Sequence, residues 1–313
     1  MSKNYKIAVI FLLLVNVVLA GYLYTYHAGY KSYDDLLSKH EKQTADFKVL
    51  QAENEYLKQS KEQIRGQYAA LLKERGGLEQ NTTGPSDPGN FYVYYVPATS
   101  GSLEPYEELA RGAGFDEYVS AFNVVFAVPL SEGIPVVFTQ CGFENAYFDQ
   151  NTKGIVFCYE LVELFTTMSA FYEDETLRAD YITANMFFAL NHEIAHAMID
   201  IYDLPVVGME EDAADQLATL IGTSKAEYNF HAAINYRILD SLGRNPDYFG
   251  DHPLNEERYY NLLCLTYGSD PAIHYDIVYD EYLPATRAAG CQGEFEQVEK
   301  SWDELLSPYK KVK

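Results

Sequence analysis

The chain has 313 residues, enough for one sizeable domain plus accessory segments. Its 46 acids against 23 bases give a net charge of −23, and residues 91–313 hold 12 of the bases and 36 of the acids. A surface of that sign repels phosphate backbones and anionic lipid headgroups, which argues against nucleic-acid binding and favours cationic or neutral partners.

Residues 1–30 read as an export segment. Lys3 and Lys6 precede an apolar run from Ile7 to Tyr24, interrupted by Asn16. Two readings compete. Val18-Leu19-Ala20 before Gly21 has the small-residue character of a signal-peptidase site, which would release the mature protein for secretion. The run is also nearly long enough to span a bilayer, with Tyr22, Tyr24 and Tyr26 at its outer interface and the lysines inside. The anchor is the preferred expectation. It places the protein in the cell envelope, held in the inner membrane with its C-terminal domain on the periplasmic side.

Residues 31–75 lack proline and are rich in Lys, Glu, Gln and Leu. Leu50, Leu57, Ile64 and Leu71 recur every seven residues, with Phe47 and Tyr68 three ahead of the first and last, which is the seam of a coiled coil. Asn54 and Lys61 fall on the other seam position and would fix register at some cost, so a homodimeric stalk is expected. A single amphipathic helix packed on the following domain is the alternative. Residues 76–90, "GGLEQNTTGPSDPGN", read as a flexible linker. They contain a glycosylation triplet at Asn81 that carries little weight.

Residues 91–313 form the expected catalytic-type domain. "FYVYYV" (91–96) and "IPVVFT" (134–139) are aromatic and β-branched and predict strands, with helix between them around Tyr106 to Phe122. "ENAYFDQNTKGIVFCYE" predicts two strands around a turn ending at Gly154, and helical patterns dominate from about Leu161. The expected class is α+β: a small, mostly antiparallel sheet followed by a helical half. Cys141, Cys158, Cys264 and Cys291 are even in number and suit an oxidising compartment. Cys141 flanks the hairpin with Cys158, so the favoured pairs are Cys141–Cys158 and Cys264–Cys291, with free thiols as the alternative.

The densest chemistry lies in "HEIAHAMIDIYDLPVVGMEEDAAD", residues 192–215. His192 and His196 are four apart on a predicted helix, so both imidazoles project from one face about a turn apart, as two ligands of one zinc ion require. Glu193 sits beside them, where it can take a proton from activated water without being a ligand. Pro205 and Gly208 break the chain, and a new helix begins at "MEEDAADQLATLIG". Antiparallel to the first, it would bring Glu211 opposite the histidines as third ligand. Asp215, a turn further on, could then accept the second N–H of His192 and fix its tautomer. The plainer reading treats Glu210, Glu211 and Asp212 as ordinary first-turn acids favoured by the helix dipole.

The His-Glu-x-x-His pair followed by Glu-x-x-Ala-Asp resembles the gluzincin class of zinc metallopeptidases, to which thermolysin and neprilysin belong. Residues 91 to about 305 also resemble a bacterial metallopeptidase family of unassigned function. That likeness runs through "CGFENAYFD", "CYEL", "HEIAHAMID", "GMEEDAADQLA" and "RYYNLLCLTYGSDP". It implies zinc at His192, His196 and Glu211, the general base at Glu193, and an orienting acid at Asp215. "ENAYFD" is similar to the neprilysin segment whose Asn-Ala holds substrate backbone, which makes Asn145 and Ala146 candidate substrate contacts on an edge strand. A plain hairpin with a structural asparagine is the alternative.

The sequence departs from thermolysin in the short stretch before the third ligand and in lacking a counterpart to its late oxyanion-stabilising histidine. His252 is the residue chosen for that part, with Arg258, Tyr259 and Tyr267 as other donors; Arg258 could equally pair with one of the many acids. The expected function is exported, zinc-dependent hydrolysis of peptide bonds in peptides or proteins. The alternatives are an inactive zinc-stabilised scaffold that oligomerises through its coil, and a zinc amidase.

Overall fold

The computed structural model describes residues 90–244 and 252–311, together with the isolated helical positions Lys42, Gln59 and Gly66. The N-terminal apolar run, the heptad seam and the linker lie outside the described residues. Among the described residues no helix is long and apolar enough to cross a membrane.

Four strands, β1 (Phe91–Tyr95), β2 (Ile134–Thr139), β3 (Ala146–Asp149) and β4 (Gly154–Cys158), form one sheet in the order β1-β2-β4-β3. β1 pairs parallel with β2 and β2 parallel with β4; only the β3–β4 hairpin is antiparallel. The sheet is therefore mixed, and the expectation of a mostly antiparallel sheet is corrected. The helical stretch between the first two strands is the reason. A parallel pair needs a crossover long enough to carry the chain back, and α1 (Glu104–Gly112) and α2 (Phe115–Val125) supply it. β2 is buried at all six positions, as expected of a central strand covered on both faces. The crossover is two helices rather than one because Gly114 adopts φ 81° between them, a conformation natural only to glycine.

The helical half begins with α3 (Tyr159–Ser169) and α4 (Glu175–Ile201). The Asp174 carboxylate caps α4 by accepting from the backbone N–H groups of Thr176 and Leu177 at 2.8 and 3.0 Å. α4 is 27 residues long and runs through the core, with Leu190, Ile194, Ala195, Ala197 and Met198 all fully buried. Phe115 fastens it to the sheet: its ring lies 4.8 Å from Phe138 of β2 and 4.7 Å from Phe187 of α4. Beyond α4 come α5 (Glu210–Gly222), α6 (Ala226–Ser241), α7 (Asn255–Ser269), the short α8 (Asp276–Tyr279) and α9 (Ala285–Leu306). Phe188 of α4, Ala218 of α5 and residues of α6 to α9 share a second core.

Both disulfides are present. Cys141–Cys158 ties the β2–β3 connection to the end of β4, and Cys264–Cys291 ties α7 to α9.

Candidate active site

Three elements converge on the C-terminal half of α4. Its own face carries His192, Glu193 and His196, of which the first two are buried. The loop of residues 202–209 then reverses the chain, with Asp203 at φ 50° and Gly208 at φ 103°. It brings the first turns of α5 back antiparallel, so that Glu211 meets the histidine pair and Asp215 meets His192. From the other side, the edge strand β3 lies against α4, and its Phe148 N–H donates to Glu193 Oε2 at 2.7 Å.

His192 Nε2 stands 3.1 Å from His196 Nε2 and 3.1 Å from Glu211 Oε2, and His196 Nε2 stands 3.4 Å from Glu211 Oε1. Four ligands around one small divalent ion, at about 2.0–2.1 Å each, have tetrahedral edges of about 3.3–3.4 Å. The donor set therefore has the size, softness and charge such an ion requires, and these three residues could hold it. Each histidine keeps its other nitrogen for an acid. His192 Nδ1 lies 2.9 Å from Asp215 Oδ1, and His196 Nδ1 lies 2.7 Å from Glu210 Oε1. A carboxylate can only accept, so both Nδ1 atoms carry protons, and the two Nε2 atoms, once free of protons, are the ones left to face the common centre.

Electrostatics agree with the geometry. Burial pulls the His192 imidazole towards neutrality, but its hydrogen bonds to Asp215 and Glu211 outweigh that and raise its pKa to about 9. Burial likewise opposes the charge on Glu211, yet the hydrogen bonds from His192, His196 and His252 drive its carboxyl far below the usual range. A pocket that retains positive charge this strongly is one that a divalent cation can take over from protons.

Arg258 of α7 holds Asp215 from behind, donating from Nε to Oδ2 at 2.7 Å and from a terminal nitrogen to Oδ1 at 2.6 Å. Its guanidinium also lies over the Tyr236 ring of α6, 4.1 Å from the centroid. Burial would raise the Asp215 carboxyl, but the Arg258 charge and the His192 hydrogen bond hold it down at about 2.

A cleft of about 800 Å³ opens over this group. β3 forms one wall, Leu161, Leu164 and Phe165 of α3 line it on the apolar side, and Asn235 and Tyr236 close it from α6. Asn145 and Ala146 both line the cleft. The Asn145 carbonyl is spent on Cys158 N–H, 3.0 Å away, so Ala146 occupies a non-hydrogen-bonded position opposite Phe157 and turns its N–H and C=O away from β4.

The remaining donors are distributed differently. His252 Nδ1 is 2.9 Å from Glu211 Oε2, beside the third acid, with its side chain half exposed. Tyr259 is buried away from the cleft and donates to the Tyr282 carbonyl at 3.1 Å, while Tyr267 packs in the second core. Glu210 and Tyr236 were not singled out in the sequence. Glu210 was hidden among first-turn acids, and a lone tyrosine in a helix gives no signal of the cation it will cover. Tyr118 also escaped notice, although its hydroxyl donates to Asn191 Oδ1 at 2.6 Å and pins the residue just before His192.

A protein family described as "Putative metallopeptidase" matches residues 94–306, a span that contains every residue of this site. No curated protein and no solved structure matches the chain.

Proposed function

Because the chain belongs to this metallopeptidase family, we propose that it is a zinc-dependent peptidase with ligands His192, His196 and Glu211 and general base Glu193. The observation that carries the reading is the mutual spacing of the three donor atoms beside Glu193, at the floor of a cleft walled by an edge strand.

Held by His192, His196 and Glu211, zinc would supply Lewis acidity to polarise the scissile carbonyl and to bring the pKa of a water down to about 7. The chain's own groups do the rest. Phe148 N–H holds Glu193 Oε2, which orients the carboxylate and leaves Oε1 to take the proton of the attacking water. The same carboxyl returns that proton to the amide nitrogen as the C–N bond breaks and the new C–O bond remains with the acyl fragment. Ala146 offers its outward N–H and C=O to an extended substrate backbone, with Asn145 beside it, in the manner of strand addition. His252, one contact from Glu211, is the nearest half-exposed imidazole for the carbonyl oxygen as it gains charge.

Two disulfides support an exported protein, and the N-terminal run is proposed as its membrane anchor. The deciding experiment measures zinc content and cleavage of a mixed peptide library for wild type and Glu193→Gln. Zinc is expected in both and cleavage in wild type alone. Equal cleavage by both proteins removes Glu193 as the base, and a metal-free wild type after incubation with zinc removes the centre.

A further inference from the structure

One ion pair crosses from the α6 end of the cleft to the strand that walls it. Arg244, which lines the cleft, pairs through a terminal guanidinium nitrogen with Glu144, the residue before Asn145 and a hundred positions away in sequence. The two side chains are 46% and 41% exposed, so the pair is solvated and worth little in stability. The backbone beneath Arg244 is held firmly. Its N–H donates to the Leu239 carbonyl at 2.9 Å, and the buried Asn255 donates from Nδ2 to its carbonyl at 2.8 Å. Gly243, at φ 68°, makes the turn that delivers it there. The guanidinium is thus a cation on a fixed base whose partner is easily exchanged.

Its charge is unusual for its place. The cleft lining carries Glu193, Glu210 and Glu211, in a domain of 36 acids and 12 bases. Of the two arginines among its described lining residues, Arg258 is committed to Asp215. Of these two arginines, Arg244 is the one positioned to receive an anion from solvent.

The strand direction says which anion. Ala146 and Phe148 turn their backbone groups outward, and the Phe148 N–H is taken by Glu193. A peptide added to this edge in the antiparallel sense, the more stable per residue, runs from the Asp149 end towards Ala146. Its C-terminal part then arrives at Glu144 and Arg244. We propose that Arg244 is the subsite for the free C-terminal carboxylate of a peptide substrate, with Glu144 holding the guanidinium until that carboxylate replaces it. The enzyme then removes short C-terminal fragments rather than cutting within long chains. This rests on the peptidase reading above, whose edge-strand binding of substrate it uses.

The test uses the full chain loaded with zinc and one mixed-sequence peptide library, made once with free C-terminal carboxylates and once as C-terminal amides. Binding to Glu193→Gln is measured separately from cleavage by wild type. A charge-assisted contact of this kind predicts an acid-over-amide preference of about tenfold to a hundredfold in binding and in kcat/KM. Adding Arg244→Gln should erase the preference, Arg244→Lys should restore part of it, and Glu144→Gln should increase it. Equal binding of acid and amide, a preference that survives Arg244→Gln, or no peptide binding at all overturns the proposal. The two readings fail differently: without a peptidase neither library is cut while the binding ratio still decides Arg244, and without the subsite cleavage persists with no regard for the terminus.

Discussion

Arg258 and Asp215 form a forked, buried pair at 2.6 and 2.7 Å, and the same carboxylate accepts from His192 Nδ1 at 2.9 Å. Asp215 thus joins the packing of α7 against α5 to the orientation of a histidine in the candidate centre. Removing one side of a buried ion pair strands the other charge, at about 3–5 kcal/mol. Asp215→Asn and Arg258→Gln are each expected to lower unfolding stability by about that amount, read from denaturant midpoints. The double substitution should cost clearly less than the sum, because the second change removes a charge already stranded. Strict additivity would show that the two residues do not act as a unit. Asp215→Asn should also weaken metal binding by about 10–100-fold, since it alters the acceptor that fixes the His192 tautomer.

The donor trio predicts that metal binding stabilises the fold. A ligand at one hundred times its dissociation constant adds about 2.7 kcal/mol by mass action. In a domain of this size that corresponds to roughly 5–10 °C in Tm. Calorimetry of the full chain should show such a rise with zinc, reversed by a chelator. Glu211→Gln removes a charged donor that sits between both histidines and should lose most of the shift. An unchanged zinc response in that variant would place the ion elsewhere.

Local pattern and tertiary pairing were legible to very different degrees. The β2 boundaries, the β3–β4 hairpin and the i, i+4 spacing of His192 and His196 were readable because each is written in a few adjacent residues. The Pro205 to Gly208 break also announced that α5 would turn back along α4. The parallel pairing of β1 with β2 was not read, because the deciding element is the crossover of α1 and α2 rather than the strands. Arg258 illustrates the same limit within the site. Its choice of Asp215 among so many acids is set by how α7 packs on α5, and no spacing in the chain encodes that distance. Glu193 and Phe148 are 45 residues apart and meet only because β3 is the sheet edge that faces α4.

The contact between α7 and α9 is close enough to exclude any side chain at Gly268. A Cβ there would stand 2.3 Å from the Cys291 carbonyl oxygen, on the helix cross-linked to α7 by Cys264–Cys291. Backbone cannot swing aside as a flexible side chain can, so the helices must separate. Gly268→Ala should destabilise by about 1–3 kcal/mol, the usual cost of overpacking, despite alanine's better helix propensity. A stability equal to or above wild type in thermal unfolding would mean that the two helices yield without cost.

His231 offers a pH readout away from the metal ligands. It is buried on α6, with Nδ1 3.3 Å from the Tyr172 hydroxyl and its ring edge-on to Tyr172 and Tyr181. Burial pushes its pKa below the ordinary histidine value, against the opposing pull of Asp180 and Glu227. The folded protein therefore keeps this ring neutral while the unfolded chain takes up a proton near pH 6.5. Its contribution to stability is complete above that pH and is lost progressively as the pH falls from there towards the lower folded value. The wild type should accordingly lose stability more steeply than His231→Phe on acidification below about pH 6.5, with the two curves parallel above it. Unfolding midpoints taken across that window compare slopes rather than absolute stabilities, so any packing change in the variant cancels. Parallel curves throughout would mean that His231 titrates alike in the folded and unfolded chains.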